Sequence, residues 1–187
     1  MSETLFHHKN IRLQPENYVG KNWSFITLCC ANRRKLFTTA KFCDWFLNIL
    51  RHDAATHSFA VHAYCLMPDH VHLLLEGLDP ASNLLLFVKA LKTKTSTPFE
   101  RKTGQPLWQK KFYDHILRRN DSPDAIAWYI WMNPVRDGLC HGPKEYPFLG
   151  WFTGTWSTTY MLSSAWSPPW QRTKAPPAVR GRYTSPR

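Results

Sequence analysis

Two apolar runs joined by a proline turn constrain this chain more than any other feature. Residues 60–66 (Ala-Val-His-Ala-Tyr-Cys-Leu) and 70–76 (His-Val-His-Leu-Leu-Leu-Glu) flank Met67-Pro68-Asp69. Strand-forming residues on both sides of a tight turn predict a β-hairpin whose second strand opens at His70. Side chains alternate faces along a strand, so His70 and His72 point the same way while Val71, Leu73 and Leu75 point into a core. Two imidazoles on one face, two residues apart, can share one divalent metal ion.

The remaining pattern builds outward from this hairpin. Residues 22–30 (Asn-Trp-Ser-Phe-Ile-Thr-Leu-Cys-Cys) predict a first strand. Phe42, Trp45, Phe46, Ile49 and Leu50 recur at helical spacing and predict an amphipathic helix over residues 40–53. A second helix runs from Leu84 to Thr95, apolar first and lysine-rich later, and Gly104-Gln105-Pro106 breaks the chain. Residues 107–117 read as extended and offer a fourth strand. Ser122 caps a third helix with Pro123 in its first turn, and Pro134 forces a kink or an end near Asn133. The order strand, helix, strand, strand, helix, strand, helix predicts an α+β fold. It suits a small antiparallel sheet with helices packed on it, in the ferredoxin-like split βαβ arrangement. No internal repeat is present. The expected division is one domain over residues 17–150, then a Trp- and Pro-rich segment and a basic tail over 151–187, disordered by composition.

The 187 residues carry 24 Lys and Arg against 13 acids, a formal net charge of +11. Such an excess suits a polyanionic partner, most simply nucleic acid. Lys89, Lys92, Lys94, Arg101, Lys102, Lys110, Lys111, Arg118 and Arg119 recur through the middle, with Trp108, Phe112 and Tyr113 among them. A single lysine there is a solvated surface. The series suits a groove that holds phosphates and stacks unpaired bases. No apolar run approaches the ~20 residues needed to span a bilayer, and the first residues lack a signal-peptide pattern. A cytoplasmic location without membrane attachment is expected. Cys29, Cys30, Cys43, Cys65 and Cys140 form no C-x-x-C pair and read as reduced core thiols.

Tyr129 and Asn133 are four apart on the third helix and share a face. A tyrosine, with a pKa of about 10, is a poor nucleophile at rest. It becomes useful where a metal polarises the phosphate it attacks. An amide oxygen one turn from the nucleophile, such as that of Asn133, would fix metal and tyrosine in one frame. Other assignments compete. Tyr129 also suits packing beside Trp128 and Trp131. A histidine-triad hydrolase would place a third His where Leu74 stands. Tyr64 is a rival nucleophile, expected opposite His72 on the same face and read as packing beside the site. Glu76 shares the histidine face but lies ~13 Å beyond His72, too far for a ligand. Asp114 and His115 suit structural or DNA-contact roles, and His62 suits packing on the hairpin.

The strand His70-Val71-His72 followed by a helix bearing Tyr129-x-x-x-Asn133 resembles the single-tyrosine HUH transposases. Trp108-Gln109, Phe112-Tyr113-Asp114-His115-Ile116-Leu117-Arg118 and Tyr129-Ile130-x-x-Asn133-Pro134-Val135-x-x-Gly138-Leu139 resemble, more narrowly, the REP-associated tyrosine transposases of the IS200-like superfamily. The resemblance implies the HUH endonuclease fold and a metal-dependent single-stranded DNA endonuclease and strand transferase. His70 and His72 would bind magnesium or manganese, with Asn133 as third protein ligand where the insertion-sequence enzymes usually carry Gln. Tyr129 would attack a DNA phosphate, leaving a 5′-phosphotyrosine and a free 3′-hydroxyl. The implied substrate is single-stranded DNA folded into an imperfect palindromic hairpin, such as a repetitive extragenic palindrome, flanked by a guide tetranucleotide. The insertion-sequence enzymes pair their subunits, and the REP-associated branch is expected to act as a monomer. Two other readings accompany this one. A domesticated protein would regulate hairpin DNA or RNA without cutting. A rolling-circle replication initiator would share the chemistry but needs a larger chain with a helicase-like segment.

Overall fold

In the computed structural model, residues 13–153 are described, so most of the expected 151–187 tail lies outside the described residues. β1 (Trp23–Cys29), β2 (Phe59–Met67), β3 (His70–Gly77), β4 (Tyr113–Ile116) and β5 (Leu149–Gly150) form one five-stranded sheet in the order β4-β1-β3-β2-β5. Every neighbouring pair is antiparallel. α1 (Ala40–Thr56) joins β1 to β2 across β3, and α2 (Leu84–Thr103) joins β3 to β4 across β1. These are two split βαβ units, the ferredoxin-like α+β arrangement that the element order predicts. α3 (Pro123–Trp131) and α4 (Asn133–Arg136) follow β4.

The period-two pattern of the strands divides the interior into two layers. Ile26, Leu28, Val71, Leu73 and Leu75 face α1 and α2, burying Phe46, Leu50, Phe87, Val88 and Leu91 against them. Phe25, Ala63, Cys65, Met67 and Leu74 face the other way, against Ile126, Ala127, Tyr129 and Ile130 of α3. The hairpin turn consists of Pro68 and Asp69, with Met67 paired to His70. Val71, Leu73 and Leu75 therefore lie in the first layer, and His70 and His72 on the α3 side, as the alternation requires.

Tyr64 departs from its expected place. Val61 pairs with Leu75 but Ala63 pairs with Leu74, so His62 is the extra residue of a β-bulge. Between the two-residue turn and the bulge, pairing runs unbroken from Met67 with His70 to Ala63 with Leu74, which puts Cys65 opposite His72 and Tyr64 opposite Leu73, one residue from the expected register. A one-residue slip reverses the face of a side chain. Tyr64 thus packs against the α1 layer, 5.3 Å ring to ring from Phe152. Gly150 of β5 lies so close that a Cβ there would stand 2.8 Å from the Tyr64 hydroxyl.

Other boundaries move for tertiary reasons. α2 extends past Thr95 to Thr103 and contains Pro98. The contacts on either side of Pro98 hold the helix together: the Thr95 hydroxyl accepts from Trp108 Nε1, and Phe99 packs on Phe42. Gly104, at φ 68°, ends it in the left-handed region. The expected 107–117 strand narrows to β4, while Leu107 and Trp108 turn into the core. The short β5 and a 3-10 turn at Pro15–Tyr18 are additions to the predicted elements. All five cysteines are free, four of them buried. No described helix is long and apolar enough to cross a membrane.

Candidate active site

His70 and His72 converge. Their Nε2 atoms lie 3.0 Å apart, and each Nδ1 has its own partner on the far side of the ring. His70 Nδ1 lies 2.6 Å from Asp69 Oδ1, and His72 Nδ1 lies 2.8 Å from Thr27 Oγ1. A carboxylate can only accept, so Asp69 fixes the His70 proton on Nδ1 and leaves the Nε2 lone pair facing inward. The Thr27 hydroxyl can accept the same way from His72. Thr27 stands there because β1 pairs it directly with His72. Asp69 is held in turn by Arg33 Nη1 at 3.3 Å, and Arg33 reaches it from a left-handed bend at Asn32 and Arg33, each at φ 54°.

Burial pushes the His72 imidazole well below its ordinary pKa, and the neighbouring His70 adds to the shift. Burial lowers His70 as well, against a partial opposing pull from Asp69. Both rings are therefore neutral at physiological pH, the form that donates a lone pair to a metal. Among the described residues no three His, Cys, Asp or Glu side chains gather as a metal site. The Asn133 carboxamide stands within hydrogen-bonding reach of His72.

The segment carrying Tyr129 is shaped by one interruption. Ser122 caps α3 by accepting from Ala125 N, Pro123 opens its first turn, and Ala125, Ile126, Ala127, Ile130 and Trp131 bury it on the sheet. The helix stops at Trp131, so Asn133 begins α4 and is not part of α3. Pro134 has no N–H to offer the carbonyl of Ile130. The Asn133 Nδ2 group donates there instead, and to the carbonyl of Tyr129, both at 3.0 Å. With Nδ2 so engaged, the Oδ1 atom is the one left for His72 or a metal.

Tyr129 is buried, with 7% of its surface exposed. Its ring centroid lies 6.4 Å from that of His72 and 6.0 Å from that of Phe25, edge-on to the latter. Phe25 in turn stacks on His72 at 5.5 Å. Arg136 lies over the ring, its Cζ 4.1 Å from the Tyr129 ring centroid and its Nη2 donating to the Tyr129 carbonyl at 2.7 Å.

The basic series divides. α2 lies on the layer opposite this site, so Lys89, Arg101 and Lys102 are exposed away from it. Lys94 pairs with the buried Asp53, and Lys92 Nζ donates to the carbonyls of Gln109 and Lys110 at 2.6 and 2.9 Å. Trp108 is a core residue against Phe37 and Phe46 and presents no face for a base. Lys110, Lys111, Arg118 and Arg119 are exposed on the segments flanking β4. Tyr113 pairs with Thr27, which puts its half-exposed ring on the histidine face. Asp114 points to the other layer and accepts from the Tyr18 hydroxyl, while His115 binds Asp121. Glu76 is paired with His62, which stacks on Trp23.

Thr27, Asp69 and Arg136 are not visible as site residues in the sequence pattern. Asp69 could be found by its adjacency to His70, and Arg136 by its place two helical turns beyond Tyr129. Thr27 needs the β1–β3 register.

Residues 21–133 match the family described as transposase IS200 like. A Haemophilus influenzae protein provisionally named as a REP-associated tyrosine transposase is 24% identical over 135 residues, covering 66% of this chain and 76% of that protein. The Escherichia coli K12 REP-associated tyrosine transposase is 27% identical over 137 residues, covering 69% of this chain and 75% of the other. A solved REP-associated tyrosine transposase, bound to a REP hairpin, shares the fold with a TM-score of 0.61 at 20% identity, over 75% of this chain and 81% of that one. The family match spans more than half of the sequence and includes both the His70-Val71-His72 strand and the Tyr129 to Asn133 segment, so the chain belongs to the IS200-like transposases.

Proposed function

We propose that this protein is a metal-dependent single-stranded DNA endonuclease and strand transferase that acts on palindromic hairpins through Tyr129. The observation that carries the reading is the convergence of His70 Nε2, His72 Nε2 and the Asn133 carboxamide beside the Tyr129 ring. The solved relative's REP hairpin supplies the substrate class, and the exposed Lys110, Lys111, Arg118 and Arg119 supply phosphate contacts.

His70, His72 and Asn133 would hold magnesium or manganese. When bound, the ion supplies Lewis-acid polarisation of the scissile phosphate. The chain's own residues do the rest. Asp69 and Thr27 hold the imidazoles in the tautomer that faces inward. Phe25 fixes the angle between the tyrosine and histidine rings. Tyr129 Oη attacks phosphorus, the bond to the 3′-oxygen breaks, and the strand is left with a free 3′-hydroxyl and a 5′-phosphotyrosine. The phosphodiester energy is retained, so rejoining needs no nucleotide cofactor. The tyrosine and the histidines of one chain meet, which supports action as a monomer over a homodimer.

The test is covalent capture. Purified protein is mixed with manganese and single-stranded hairpin DNA labelled at its 3′ end, and resolved on a denaturing gel beside Tyr129→Phe. A labelled adduct is expected in the wild type alone. Equal hairpin binding by both proteins with no adduct in either would replace the nuclease by a non-cutting hairpin-binding regulator.

A further inference from the structure

Arg136 makes two contacts that a solvent-facing arginine has no need to make. It stacks its guanidinium on the Tyr129 ring and donates to the Tyr129 backbone carbonyl. The break between α3 and α4 permits this. Met132, at φ −79° and ψ −4°, separates the two helices while staying in the right-handed region, and Arg136 N donates to the carbonyl of Met132 at 3.0 Å, so α4 resumes directly. The arginine stem then runs back along the segment to a residue seven positions earlier.

We infer that Arg136 is a positioning residue for strand cleavage: it clamps the Tyr129 ring toward His72 and places a delocalised positive charge against the ring as the phenol loses its proton. The inference rests on the reading of Tyr129 as nucleophile. In the step concerned, the Tyr129 Oη–P bond forms and the P–O3′ bond breaks. The phenolic proton passes to solvent, and the departing 3′-oxygen takes a proton from solvent. Negative charge develops on the phenolic oxygen before the new bond is complete, and a cation at the ring face favours that charge. Phe25 packs on the ring at a right angle, and Arg136 lies over its face. Only a guanidinium can do both tasks at once, since its plane covers the ring while an in-plane N–H reaches the carbonyl. A lysine would keep a charge but lose the stack.

The test is single-turnover cleavage of hairpin DNA at saturating protein with manganese. It compares wild type, Arg136→Met, Arg136→Lys, Arg136→Ala with and without ethylguanidinium, and Tyr129→Phe. Hairpin affinity and its salt dependence are measured in parallel. Arg136→Met is expected to cleave at least about tenfold more slowly with unchanged affinity and salt slope. Arg136→Lys should fall between it and wild type, and ethylguanidinium should raise the rate of Arg136→Ala. A merely structural arginine would not give chemical rescue at unchanged affinity. A wild-type rate in Arg136→Met would overturn the inference, as would a loss confined to affinity with a shallower salt slope, which marks a phosphate contact. If Arg136→Met does not fold, Arg136→Lys decides, and a wild-type rate in it overturns the clamp. Wild-type cleavage by Tyr129→Phe would remove the nucleophile assignment itself. An inactive Tyr129→Phe beside a fully active Arg136→Met would remove only the clamp.

Discussion

The side-chain amide of Asn133 donates to the backbone carbonyl of Tyr129 at 3.0 Å, so the proposed metal ligand is tied to the backbone of the proposed nucleophile. The same nitrogen also serves Ile130, which fixes the orientation of the carboxamide. Asn133→Ala should therefore lower stability by about 1–2 kcal/mol through the lost hydrogen bonds and reduce cleavage by at least about a hundredfold. Thermal denaturation and single-turnover cleavage read the two effects separately. An unchanged melting temperature would mean that the amide does not brace the helix break.

Thr27 is predicted to act through His72. Thr27→Val keeps the shape but removes the oxygen that faces His72 Nδ1. Loss of such an outer partner should weaken manganese binding by about 10–100-fold, while Thr27→Ser should retain it. Calorimetric titration of each variant with manganese decides, and wild-type affinity in Thr27→Val would show that the hydroxyl is incidental.

Trp108 and Tyr113 should behave in opposite ways. Trp108 is buried and bonded to Thr95, so Trp108→Ala should cost about 3–5 kcal/mol of stability. Tyr113 is 43% exposed on the histidine face. Tyr113→Ala should leave stability within about 0.5 kcal/mol and weaken single-stranded DNA binding by about 1–3 kcal/mol. Denaturation and fluorescence anisotropy on both variants would reveal the reverse pattern if the assignment is mistaken.

Cys140 should be the thiol that reacts first. It is partly exposed, while Cys29, Cys30, Cys43 and Cys65 are buried. Burial pushes Cys30 up to about 12 and Cys43 up to about 11, and raises Cys65 further in the same direction. The thiolate is the reactive form, so iodoacetamide on the native protein should modify Cys140 before the other four, as mass spectrometry would read. Early labelling of Cys65 would indicate that α3 opens from the sheet.

Much of the architecture was legible without coordinates, because it depends on local periodicity. Alternation along residues 70–76 assigns His70 and His72 to one face and Val71, Leu73 and Leu75 to the other. The order of strands and helices admits few topologies beyond the split βαβ sheet. Ser122 and Pro123 mark the start of α3, and Pro134 marks its interruption. The pairing of a His-x-His strand with a Tyr-x-x-x-Asn segment carries the family likeness.

What only the tertiary structure decided are relationships of register and distance between segments remote in sequence. The two-residue turn at Pro68 and Asp69 sets a register that puts Tyr64 opposite Leu73 and away from the histidines, and the bulge at His62 shifts the pairing only beyond that point, choices that no residue type announces. Thr27 becomes the partner of His72 only through β1–β3 pairing across 45 positions. Lys92, Lys94 and Trp108 read as a basic, aromatic surface by composition, but the packing of α2 commits them to Gln109, Asp53 and Thr95. Arg136 reaches Tyr129 across the break between α3 and α4. Periodicity is a property of neighbouring residues, while a site is made where distant segments meet, and the burial of whole faces sets that meeting.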